Sequence, residues 1–112
     1  MPNFEFKGKS YEVDKEGYLQ NPEDWSNGLA EEIAKTEGVE MTKEHWDVVN
    51  FLKDYYKEYQ IAPMIKIIIK EMARMFGTKK GNNEYLYELF PVKSIKQTVC
   101  KIAGLPKPEG CI

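Results

Sequence analysis

The sequence predicts an α+β domain. A small N-terminal antiparallel meander of three short strands packs on about five helices, and an extended arm containing proline and glycine follows. Three observations predict this. The first twenty residues alternate apolar with polar, the period lengthens to the helical one from about residue 23, and after Gly104 no period remains. A chain of 112 residues, 42% hydrophobic and 30% charged, has material for one modest core. Residues 1–104 are therefore read as a single domain, with the meander at 1–20 and helices at 23–104, and residues 105–112 as a mobile C-terminal arm.

In the meander, Phe4 and Phe6 share one face and Tyr11 and Val13 another, with Gly8-Lys9 as the tight turn between them. Asp14-Lys15-Glu16-Gly17 reads as a second turn and Tyr18-Leu19 as the third strand. A hairpin alone is marginal in water, so the meander must pack on helices.

The pairs Leu29/Ile33 and Ala30/Ala34 then mark a first helix that stops at Gly38, a good left-handed C-terminal residue. Thr42 is a natural N-cap for the second, with Met41 and Trp46 placed as a hydrophobic staple. Its apolar stripe is Trp46, Val49, Leu52, Tyr56 and Tyr59, running to about Gln60. Pro63 fits the first turn of a third helix, whose inner face is Ile65, Ile68, Met72 and Met75/Phe76, ended by Gly77. After a basic loop at 79–83, Asn83 caps a short helix through Leu89, and Pro91 stops it. The last helix covers about 92–103, carries Ile95, Val99 and Ile102, and ends at Gly104.

The net charge of −2 conceals a polarised chain. Residues 1–60 carry a net of −7 and residues 61–112 a net of +5. Either the halves interleave in space and the field cancels, or it orients an anionic ligand or acidic partner. No apolar run approaches the ~18–20 residues that span a bilayer, and no basic-then-apolar leader opens the chain, so the expectation is a cytoplasmic protein without membrane insertion. His45 is the only histidine, which excludes a Cys₂His₂ zinc site; it falls near the third position of its helix, where a solvated role is expected.

The chemistry concentrates in two cysteines. Cys100 borders the buried stripe of the last helix, with Lys96 and Lys93 on its own face, and is read as a half-buried thiol. Cys111 is penultimate, on an arm whose ~8 residues at ~3.3 Å each reach ~25 Å, enough to enter a channel in another protein. Folded back, the same arm can bring Cys111 to Cys100, because ten intervening residues that include Gly104 and Gly110 can close that loop. One thiol presented outside and resolved by another at home is the geometry of a redox or sulfur carrier.

The run from Cys100 to Ile112, Cys-Lys-Ile-Ala-Gly-Leu-Pro-Lys-Pro-Glu-Gly-Cys-Ile, resembles the C-terminal signature of the DsrC/TusE family, which includes the gamma subunit of dissimilatory sulfite reductase. The resemblance extends through Glu44-His45-Trp46-Asp47, Tyr55–Pro63, Lys80-Gly81-Asn82, Tyr85-Leu86-Tyr87 and Leu89-Phe90-Pro91. It implies a sulfur carrier that is partner and co-substrate of the alpha and beta subunits of a sirohaem sulfite reductase. Cys111 would accept sulfite-derived sulfur and then form a trisulfide with Cys100, to be reduced by a membrane-bound reductase complex. Sirohaem and iron–sulfur clusters would belong to the partner, and this chain would bind no cofactor and no metal. The TusE branch implies instead a persulfide relay, through other sulfur-relay proteins, toward 2-thiouridine in tRNA; its members keep only the penultimate cysteine, and the presence of Cys100 favours the sulfite-reductase branch.

Two readings lie outside the family. The second and third helices, with Lys66, Lys70, Arg74, Lys79 and Lys80, suit a helix-turn-helix DNA-binding regulator. A regulatory thiol switch without sulfur cargo would use the same two cysteines.

Overall fold

Alternation of Phe4, Phe6 and Tyr11 gives a two-stranded antiparallel hairpin in the computed structural model, which describes residues 3–108. Strands β1 (Asn3–Phe6) and β2 (Lys9–Glu12) pair Phe4 with Tyr11 and Phe6 with Lys9. The turn is Lys7-Gly8, one residue earlier than expected, and both have positive φ, +51° and +77°. Two left-handed residues give a turn whose twist matches that of the strands it joins.

The third strand of the expected meander does not form. Val13 and Leu19 make one isolated bridge, and the intervening turn is closed by the Asp14 carboxylate, which accepts from the amides of Glu16 (2.9 Å) and Tyr18 (3.0 Å). Neighbours on a strand point to opposite faces, yet Tyr18 and Leu19 are both buried. Pro22, with no N–H for a ladder, then opens a short 3₁₀ turn through Asp24.

Helix α1 (Asn27–Thr36) begins after that turn, with the Ser26 hydroxyl accepting from the Leu29 amide at 3.1 Å. It buries Leu29, Ala30, Ile33 and Ala34 and ends at Gly38. Helix α2 (Lys43–Tyr59) starts at the expected Thr42, but its buried face is His45, Val48, Val49 and Leu52. Trp46 and Tyr56 lie at the edge of that face, and Tyr59 is largely exposed. The stripe is turned because α2 is covered on one side by α5 and on another by α3.

Helix α3 (Ile65–Phe76) buries Ile68 and Met72 and ends at Gly77. Pro63 precedes its N-cap, Met64, and is itself buried; the extended backbone of Met64 starts the helix two residues after the proline. Helix α4 (Asn83–Leu89) is capped by Asn82, whose side chain accepts from the Tyr85 amide at 2.8 Å, so the cap lies one residue before the expected Asn83. Helix α5 (Ile95–Ile102) is shorter than the expected 92–103, because Pro91 and the bends after it delay its start. It packs on α1 and α2, and none of the helices among the described residues is long and apolar enough to cross a membrane.

Candidate functional site

Cys100 occupies the last turn of α5 and is fully buried, not half-buried as its place beside Val99 suggested. The thiol is pushed up to about 12 by burial, with the Lys96 ammonium opposing. At neutral pH it is a protonated thiol, and attack by it requires exposure or a stronger base than water. Tyr18 packs in the same region: its hydroxyl donates to the Gln97 carbonyl at 3.3 Å. Its phenol is raised above the usual range by burial first and then by the charge that Cys100 would carry. No feature of the sequence around Tyr18 announces this neighbour, 79 residues upstream of Gln97.

The root of the arm is tied to the same residue. Gly104 has φ +73°, the Leu105 amide donates to the Cys100 carbonyl at 3.0 Å, and the Gly104 amide donates to Lys101 at 3.2 Å. These two bonds make a Schellman end, and Leu105, the residue that follows the left-handed glycine, is buried as that motif favours. The chain therefore begins its departure hydrogen-bonded to the backbone of Cys100. Further out, Lys107 pairs with Glu16 at 2.8 Å. Pro106 and Pro108 border a groove of about 470 Å³ whose other wall is Tyr56, Ile61, Met64 and Lys96. Ile61 and Met64 are among the exposed large hydrophobic residues. Cys111 lies outside the described residues.

His45 is buried rather than solvated. Its Nε2–H donates to the Leu89 carbonyl at 2.5 Å, its Nδ1 accepts from the Thr42 amide at 3.1 Å, and its ring meets Phe90 edge-on at 5.0 Å. It closes the N-terminus of α2 and joins α2 to α4, which leaves it no open position for a ligand. Among the described residues no cluster of His, Cys, Asp and Glu is placed to hold a metal ion.

Three ion pairs cross the charge split. Lys101 meets Glu37 at 3.3 Å, Lys107 meets Glu16, and Lys80 meets Glu44 at 3.0 Å, each a base of the second half on an acid of the first. Tyr85 also hydrogen-bonds Glu44. Of the basic residues that suggested DNA contact, Lys80 is thus engaged, and Arg74 forms a bidentate pair with Glu71. Lys93 borders a small cavity of about 210 Å³ together with Lys101 and Tyr18.

A short helix that buries Cys100 and ends at a left-handed glycine, with a proline-containing segment after it, defines a small α+β protein with a buried thiol at the root of that segment. Residues 5–112 match the family model described as DsrC like protein, and the chain belongs to that family. It is 50% identical over 107 residues to the sulfurtransferase TusE of Escherichia coli K12, covering 96% of this chain and 97% of the relative. DsrC of Allochromatium vinosum, solved by NMR, superposes with a TM-score of 0.84 at 48% identity, over 98% of this chain and 97% of that one. The oxidized gamma subunit of the dissimilatory sulfite reductase of Archaeoglobus fulgidus gives the same TM-score at 37% identity, over 99% and 100%.

Proposed function

We propose that this protein is a sulfur carrier of the TusE type, relaying persulfide sulfur on Cys111. The observation that carries the reading is the 50% identity, over nearly the whole of both chains, to relatives that are sulfurtransferases. The burial of Cys100 supports it: a thiol raised to about 12 is a poor acceptor, which leaves uptake to Cys111. In the proposed step the Cys111 thiolate attacks the outer sulfur of a donor persulfide, R–S–SH. The Cys111 Sγ–S bond forms, the donor S–S bond breaks, and the donor leaves as a thiolate. No net oxidation occurs, and no cofactor is required. Residues 105–112 would carry the thiol to donor and acceptor proteins of a cytoplasmic relay.

The second reading is the sulfite-reductase branch, favoured by Cys100, which stands eleven positions before Cys111. Here the alpha and beta subunits would load Cys111 with sulfite-derived sulfur that still bears a hydroxyl, Cys–S–S–OH, and the Cys100 thiol would displace that hydroxyl as water to close a trisulfide. One experiment serves both. Intact mass after exposure to a low-molecular-weight persulfide should show one added sulfur in the wild type and in Cys100→Ala, and none in Cys111→Ala. Equal loading of Cys111→Ala refutes the assignment. If sulfur passed onward from Cys111 requires Cys100, the trisulfide reading replaces the relay.

A further inference from the structure

Nothing in the local sequence marks Trp25, which lies between the 3₁₀ turn and α1, yet it meets the far end of the chain. A helix leaves its last four carbonyls without intrahelical partners, and they must be satisfied in another way. In α5 those carbonyls belong to Val99, Cys100, Lys101 and Ile102. The first three accept from the amides of Ala103, Leu105 and Gly104. The fourth, on Ile102, accepts from the indole N–H of Trp25 at 2.9 Å.

Two further contacts hold the ring in place. A Cβ added to Gly104 would lie 2.4 Å from Trp25 Cδ1 and 2.9 Å from Cγ, so the indole edge is pressed against the glycine at which the chain turns. From α2, the Lys53 ammonium sits 3.0 Å from the ring centroid. The indole is thus bounded by α5, by the turn and by α2. Helix α5 has only eight residues. A helix so short is marginal by itself, and its last turn frays unless something outside it holds the end.

We infer that Trp25 is a positioning residue for the Cys111 thiol: by closing the end of α5 and backing Gly104 it sets the course that residues 105–108 take over the domain, and so the point from which Cys111 is presented. This rests on Cys111 being the working thiol. Without the indole the Ile102 carbonyl loses its donor and the turn at Gly104 loses its backing, so the starting direction of the arm is no longer defined. Trp25 touches neither thiol's chemistry; it acts through the backbone that carries the arm.

The Cys100–Cys111 disulfide provides a ruler for that direction. With glutathione disulfide as oxidant, the Cys111 thiolate attacks one glutathione sulfur, forming a mixed disulfide and releasing one glutathione. Cys100 then displaces the second glutathione, closing the ring. The oxidant's two electrons are accounted for by two released thiols and one new protein disulfide. The quantity to be measured is the effective concentration of one thiol toward the other, on the order of millimolar for a short flexible connection.

Trp25→Ala should lower it about tenfold, and Trp25→Phe, which keeps the ring but has no N–H, by about two- to fivefold. If the Ala variant does not fold, the Phe variant carries the test. Alkylation of Cys111 by iodoacetamide, an intermolecular reaction, should stay at the wild-type rate. Alkylation of Cys100 in a Cys111→Ala background should also be unchanged. An unaltered effective concentration in both folded variants overturns the proposal, as does a wild type that closes no ring. A faster alkylation of Cys100 that matches the change would also overturn it, because Trp25 would then only keep the core shut. Separately, failure of Cys111 to take sulfur from a persulfide refutes the carrier reading and leaves the ring-closure rates, read with glutathione alone, as they stand.

Discussion

Gly104→Ala should be far more damaging than Gly38→Ala, although the two glycines do the same local work. Both follow a helix in the left-handed region, at φ +73° and +77°. Both donate within a Schellman end: Gly38 to Lys35 with Val39 to Ala34, Gly104 to Lys101 with Leu105 to Cys100. Alanine in that conformation costs about 1–2 kcal/mol, partly offset by the lower entropy of the unfolded chain, leaving about 1 kcal/mol. At Gly38 a new Cβ meets nothing within 4 Å, so that is the whole effect. At Gly104 it meets Trp25 Cδ1 at 2.4 Å, and the ring must move. Moving it breaks the bond to the Ile102 carbonyl, about 1–3 kcal/mol for a part-buried acceptor left unsatisfied, and disturbs the Lys53 contact. The expected losses are about 1 kcal/mol for Gly38→Ala and about 3–4 kcal/mol for Gly104→Ala. Urea denaturation at constant m-value reads both. In a Trp25→Ala background the Gly104→Ala cost should drop to that of Gly38→Ala. Equal costs in the native background would refute the role given to the indole edge.

Cys100 makes stability depend on pH on the alkaline side. Its folded-state value, pushed up to about 12, lies above that of an exposed thiol, so above about pH 9 the unfolded chain releases a proton that the folded one keeps. Stability should therefore fall from pH 8 to pH 10.5, by about 2 kcal/mol more in the wild type than in Cys100→Ala; identical slopes in denaturant titrations would show the thiol to be accessible. His45→Ala should cost about 2–4 kcal/mol by chemical denaturation, since it orphans the Leu89 carbonyl and the Thr42 amide and removes the edge contact with Phe90. His45→Gln, which keeps a side chain able to reach back to the N-cap, should recover about half of that loss; full recovery would mean that the Leu89 bond contributes nothing.

The five helices, and the ends of α1, α2 and α3 at Gly38, Thr42 and Gly77, were legible because the signals that set them are local, whereas the starts of α3, α4 and α5 lie one to three residues from where the sequence places them. Thr42 at the head of α2 and the glycines at 38, 77 and 104 act through hydrogen bonds and φ angles within a few residues of themselves. The spacing of Cys100 and Cys111 and the Pro/Gly composition between them are likewise properties of the chain alone. The third strand was misread because alternation cannot tell a residue paired in a ladder from one turned into a core, and Tyr18 and Leu19 are the latter. His45 was expected in solvent because nothing beside it in sequence discloses a carbonyl 44 residues away.

What the sequence determined by itself, then, is an α+β chain with punctuated helices, two cysteines separated by a segment containing proline and glycine, and the family to which those motifs belong. Only the tertiary structure decided the state of Cys100, because its depth is set by packing of α5 against α1 and α2, not by its neighbours along the chain. The same holds for the launch of the arm. Gly104 supplies the left-handed turn locally, but the ring that backs it and the donor that closes α5 come from Trp25, 77 residues before the carbonyl it binds. Burial and long-range hydrogen bonds are sums over elements that meet only on folding, and no local pattern encodes them.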